Sequence, residues 1–95
     1  MLNDIKLILG IASGNTTFDS IINTFINTGK QDLIQSGIIS SKVVDTDPLI
    51  YSALVSFVLS MLDTYEYREL SANAYALQKD QLRHYVDYIE EGGSL

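Results

Sequence analysis

Apolar residues recur at helical spacing along most of the chain, and the breaks between them are simple. Asn3 and Asp4 precede Ile5, Leu7, Ile8 and Leu9, and Gly10 follows, which predicts a short helix with a polar N-cap and a glycine stop. The run Ser13-Gly14-Asn15-Thr16-Thr17 is turn chemistry that also supplies a cap. From there, apolar positions 18, 21, 22, 25, 26, 33 and 34 predict a helix from about Thr17 to Ser36, stopping at Gly37, with Asp19, Asn23, Asn27 and Lys30 off the stripe. Gly29 lies inside that helix at a cost of about 1 kcal/mol relative to alanine, which fits a bend or a close approach.

The stretch Ile38 to Asp47 holds two β-branched pairs, Ile38-Ile39 and Val43-Val44, without helical period. It reads as an extended loop or a lone strand, and a lone strand needs a neighbouring chain to satisfy its backbone. Asp47-Pro48 is a strong helix start, with Asp as cap and Pro where its missing donor is harmless. Leu49 to Leu62 is apolar except for Ser52, Ser56 and Ser60, so this helix is expected to be central and covered on nearly all sides, with help from sister copies. The serine stripe reads either as a wet surface face or as a place where another subunit packs closely. Ser71 and Asn73 suggest a break. A last amphipathic helix is expected from Ala74 to Glu90, ended by Gly92-Gly93, with a mobile tail at 92 to 95. The expected fold is all-α: one small four-helix domain over residues 1 to 95 with a central apolar helix.

Ninety-five residues allow one small domain and exclude a two-domain enzyme. The chain has no cysteine, so disulfides and thiolate metal sites are ruled out. A net charge of −6 is opposite in sign to that of a phosphate-binding protein, so tight nucleic-acid binding is not expected. Met1 to Asp4 lacks the basic region of a secretory signal, and the longest apolar stretch is shorter than the ~20 residues of a membrane span, so an intracellular protein without a membrane segment is expected.

No compact catalytic constellation is visible, and neither a metal nor another cofactor is expected. His84 is the only histidine, and Asp45 and Asp47 lack the glycine and closing glutamate of a calcium loop. Asp19-Ser20-Ile21-Ile22 resembles the modified serine of acyl carrier proteins, which would make Ser20 the attachment point of a phosphopantetheine arm. The match is confined to those four residues, and the acidic helix that follows the serine in that family is absent. Tyr51, Tyr65, Tyr67, Tyr75, Tyr85 and Tyr88 outnumber the three phenylalanines, a bias that favours packing or partner binding over catalysis.

The order of elements resembles the small head-tail connector, or portal adaptor, proteins of long-tailed bacteriophages, over about Leu2 to Ile89. Their opening Leu-x-x-Val-Lys-x-x-Leu is matched by Leu2-Asn3-Asp4-Ile5-Lys6-Leu7-Ile8-Leu9. Their long second helix is matched by Thr17-Phe18-Asp19-Ser20-Ile21-Ile22, closing near Gly37, though the acidic turn before it is poorer in charge here. Their proline-led apolar helix and Tyr-x-Asn-Arg-Glu pattern are matched by Asp47-Pro48-Leu49-Ile50 and by Tyr65-Glu66-Tyr67-Arg68-Glu69, with tyrosine in place of the asparagine.

The resemblance implies a structural virion protein without enzymatic activity. It implies a ring of about twelve copies at the head-tail junction, made in the host cytoplasm, that binds the portal and a downstream head-completion or tail protein and extends the DNA channel. Such a ring would carry roughly −70 in formal charge, which repels DNA instead of binding it. Ile38, Ile39, Lys42, Val43, Val44 and Asp45, with Ser52, Ser56 and Ser60, are the candidates for subunit or channel contacts. Tyr85, Tyr88, Glu90, Glu91 and Leu95 are the candidates for portal docking. The competing expectations are a dimeric helical regulator that binds through its tyrosines and the carrier reading of Ser20.

Overall fold

The computed structural model describes residues 1–62 and 66–89, and among these the chain is helical with no strand. Four helices of eight residues or more run in order: α1 (Leu2–Leu9), α2 (Asp19–Gln35), α3 (Pro48–Ser60) and α4 (Arg68–Arg83). A fifth, α5, spans Val86–Ile89, and a 3-10 turn occupies Ser40–Lys42. With a Cα radius of gyration of 14.0 Å, against about 12 Å for a compact domain of this length, the protomer is elongated.

Local chemistry sets most helix ends. Gly10 and Gly37 take positive φ, 75° and 110°, and each closes its helix in the same way. Gly10 N–H donates to Leu7 O and Ile11 N–H to Lys6 O, while Gly37 N–H donates to Ile34 O and Ile38 N–H to Leu33 O. These paired bonds satisfy carbonyls that a helix end otherwise orphans and turn Ile11 and Ile38 back onto the core. Asp47 caps α3 as expected: its Oδ1 accepts from Leu49 N–H at 2.9 Å and from Ile50 N–H at 3.3 Å.

Other boundaries differ from expectation. Helix α1 starts at Leu2, which places Asp4 inside the first turn instead of at the cap. Helix α2 starts at Asp19, because the Asn15 side chain accepts from Thr17 N–H at 3.1 Å and holds residues 15–17 in a turn. Helix α4 runs without a break through Ser71 and Asn73, whose weak propensity costs only tenths of a kcal/mol each against the burial of Tyr75 and Leu82. It ends at Arg83; of the residues expected to continue it, Val86–Ile89 form α5 after a break at His84 and Tyr85, and Glu90 lies outside the described residues.

Helix α3 is central. Ile50, Ala53, Leu54 and Phe57 join Leu33, Ile38, Val43, Tyr75 and Leu82 in the main core. Val58 and Leu59 join Ile5, Ile22 and Ile26 in a second cluster beneath α1. The expectation that sister copies must shelter α3 is therefore corrected: α1, α2 and α4 of the same protomer bury most of it, leaving Leu49 and Val55 partly open. Gly29 on α2 marks a close approach to α3, since a Cβ there would lie 2.9 Å from Phe57 Cδ1.

Candidate assembly interface

Loop 38–47 is not a strand waiting for a partner. It forms a 3-10 turn whose amides bond within the protomer: Ile39 N–H donates to Tyr88 O at 2.7 Å, Lys42 N–H to Ile39 O at 2.9 Å and Val43 N–H to Ser40 O at 3.2 Å. Of the six residues offered as contacts, Ile38, Ile39 and Val43 are buried in the protomer, while Lys42, Val44 and Asp45 are exposed. The β-branched pairs are thus core residues more than surface, with Val44 the exception. Ser52 is exposed and accepts a hydrogen bond from Gln78 Nε2 of α4 at 2.9 Å. Ser56 and Ser60 are half-buried, and the Ser60 hydroxyl donates back to Phe57 O at 2.6 Å.

The tyrosines divide by depth. Tyr75 is buried with its ring edge-on to Phe57, centroids 5.0 Å apart, and its hydroxyl donates to Asp32 at 2.5 Å. Lys79 Nζ bonds the same carboxylate at 3.2 Å and stands 5.3 Å from the Tyr75 ring centroid. Tyr51 donates to Asp4, tying α3 to α1, and Tyr88 donates to Asp47 Oδ2 at 2.8 Å, tying α5 to the cap of α3. Tyr85 and Tyr67 are exposed. Of the docking candidates, Tyr88 is half-buried and Tyr85 is open, whereas Glu90, Glu91 and Leu95 lie outside the described residues, as do Tyr65 and the tail at 92 to 95.

These pairs shift titrations in a consistent way. At Asp32, burial pushes the carboxyl up, but bonds from Tyr75 and Lys79 and the ammonium charge outweigh it, and the pKa falls. At Asp47, burial is likewise outweighed by the Tyr88 bond and the two capping amides. The Tyr51 hydroxyl is pushed up to about 12, first by its bond to Asp4 and then by burial. Tyr88 rises to about 12 through burial and its bond to Asp47.

Two features were not singled out from the sequence. Lys6 is 1% exposed, ion-paired to Asp19 Oδ1 at 2.8 Å and donating to Ser13 O at 3.1 Å, so it pins α1, the polar turn and the start of α2 together. Asp19 therefore has a structural task beside exposed Ser20. The second feature is an open apolar hollow of about 570 Å³ lined by Ile8, Leu9, Ile11, Phe18, Ile21 and Leu62, with Glu66 at its edge. Ile8, Phe18 and Ile21 are about half exposed, and Leu7 beside them is 79% exposed. The signal lay in α1, which carries apolar residues on two faces: Ile5 inward, Leu7 and Ile8 outward.

Among the described residues, no group of three His, Asp or Glu is placed to hold a metal, and no helix is long and apolar enough to cross a membrane. No curated protein and no solved structure matches the chain. A family model described as phage connector protein matches residues 1–79, a span that takes in α1, α2, α3 and most of α4. With that match over most of its length, and the helix order that the sequence resemblance implied, the chain belongs to the phage connector proteins.

Proposed function

We propose that this connector protein assembles into a ring at the head-tail junction of the virion, seated against the portal and continuing the DNA channel toward the next head-completion or tail protein. The observation that carries the reading is the uncovered apolar surface around the hollow, where Leu7, Ile8, Phe18 and Ile21 lie open together on a protomer of net charge −6. Surface of this kind marks an interaction site, and a contact between unlike patches of identical copies closes into a ring when its rotation permits. Exposed Lys42, Val44 and Asp45, with the stripe of Ser52, Ser56 and Ser60, are candidates for the second patch or for the channel wall. Tyr85, with Glu90, Glu91 and Leu95, remains the candidate portal contact. A net charge of −6 per copy supports passage of DNA without adhesion.

Light scattering and electron microscopy across micromolar to millimolar concentration test the reading, together with binding to the portal protein of the same phage. Closed rings, or rings nucleated by the portal, are expected. A strictly monomeric chain that ignores the portal overturns the proposal, and a mass that stops at a dimer turns it toward a dimeric regulator.

A further inference from the structure

We propose that the outer face of α4 in one copy of the chain seats in the hollow between α1 and α2 of the next copy; this names the contact behind the ring reading above and rests on it. Helix α4 has two apolar faces, and the protomer uses one. The inner face carries Tyr75 and Leu82 into the core, where Tyr75 meets Asp32 of α2 and Phe57 of α3. Leu70 and Leu77 lie about 140° and about 200° round the helix from Tyr75, on the side turned away from both neighbours. They are 65% and 67% exposed, and among the described large apolar residues only Leu7 is more open. Half-buried Ala74 stands between them, and exposed Tyr67 precedes them. Positions 70, 74 and 77 give the i, i+4, i+7 spacing with which a helix presents anchors to a groove.

Shape and area favour this occupant. The hollow is concave, and two hollows set face to face would enclose a void instead of packing, which forfeits the contacts that make burial favourable. The α4 stripe is a ridge, with leucine at either end and small Ala74 in the middle, where the helix backbone can come close. Taking roughly 180 Å² for a fully open large apolar residue, Leu7, Ile8, Phe18 and Ile21 offer about 400 Å² on the hollow side, and Tyr67, Leu70 and Leu77 about 300 Å² on the stripe. Interfaces are about 57% apolar, so the two faces together support a contact of roughly 1,200 Å², the lower edge of what a stable interface buries. Both faces lie within residues 1–79, the span that matches the connector family. They are unlike, and every copy carries both, so each pairing leaves one hollow and one stripe free until a ring closes. Exposed Lys42, Val44 and Asp45 then remain for the channel wall.

Two double variants of the full-length chain test the contact: Ile8→Gln with Ile21→Gln in the hollow, and Leu70→Gln with Leu77→Gln on the stripe. All four side chains are about half exposed or more, so circular dichroism should show both variants folded. Each variant by itself is expected to need at least roughly tenfold more protein to assemble than the wild type, alone or with the portal. Mixed in equal amounts at millimolar concentration, the two are expected to form a dimer in light scattering and go no further. The stripe variant keeps an intact hollow and the hollow variant an intact stripe, so the mixture can make one good contact and no second. A stripe variant that assembles like the wild type, or a mixture that yields no dimer, overturns the α4 contact even where wild-type rings form. A wild type that stays monomeric at millimolar concentration and ignores the portal overturns the contact and the ring reading together.

Discussion

Gly29 on α2 lies so close to Phe57 on α3 that a Cβ added to it would sit 2.9 Å from the ring's Cδ1 and 3.1 Å from Leu54 Cδ2. The glycine is helical, so its value here is its lack of bulk, which lets α2 settle against the most apolar helix of the chain. The Phe57 ring is itself braced by Tyr75 on α4, so it cannot move aside freely.

Gly29→Ala is expected to destabilise the fold by about 1 kcal/mol. The helix gains about 1 kcal/mol from alanine's propensity and loses about 2 kcal/mol to overpacking. For a domain of this size the midpoint of thermal unfolding should fall by roughly 4–8 °C per kcal/mol, read by circular dichroism. A stabilised variant would mean that the α2–α3 approach has slack.

Lys6 and Asp19 should respond unequally to removal of their partner. Lys6 is 1% exposed and its partner's side chain 26% exposed, so an abandoned Asp19 can take up water whereas an abandoned Lys6 cannot. Asp19→Ala is therefore expected to cost more than Lys6→Met, about 3 kcal/mol against about 1 kcal/mol in urea unfolding.

Asp47→Ala removes the cap of α3 and the acceptor of Tyr88 in one step. A loss of about 2 kcal/mol is expected, and Asp47→Asn should recover about half of it by retaining a capping oxygen.

Stability should be bounded on both sides by the tyrosine–aspartate pairs. Asp32 and Asp47 have lowered pKa values, so their contribution is present above the unfolded value near 3.9 and is lost as pH falls through the folded values. Tyr51 and Tyr88 are raised to about 12, so their contribution is present below the unfolded value near 10 and is lost as pH climbs from there toward 12. Urea midpoints at acid, neutral and strongly alkaline pH would show both losses, and Tyr51→Phe combined with Tyr88→Phe should reduce the alkaline one.

Replacing Ile8 and Ile21 with glutamine should raise the concentration needed for assembly by roughly tenfold or more, as expected when apolar anchors leave an interface. Both side chains are about half exposed, so the thermal midpoint of the free protomer should move by only a few degrees. Unchanged assembly would place the subunit contact elsewhere.

Much of the fold was legible because its signals are local. The stops at Gly10 and Gly37, the Asp47-Pro48 start and the tight site at Gly29 each depend on a few neighbouring residues or on a repeat carried along one helix. Helix α4 runs against its local signals: Ser71 and Asn73 speak against a helix, and the burial of Tyr75 and Leu82 overrides them. Loop 38–47 looks like a surface contact in the sequence because its two pairs lack helical period, a property that says nothing about which way a loop faces.

The sequence by itself determined an all-helical chain with a central apolar helix, and its motifs pointed to the connector family, since caps, glycine stops and hydrophobic period act over one or two turns. Only the tertiary structure decided that Lys6 is buried against Asp19, that Ile38, Ile39 and Val43 turn inward, and that Tyr75 meets Asp32 and Tyr88 meets Asp47 across 43 and 41 residues of chain. A polar partner at that separation leaves no periodic trace. It is chosen by which helices pack side by side, and that choice is made by the apolar faces of the whole chain at once.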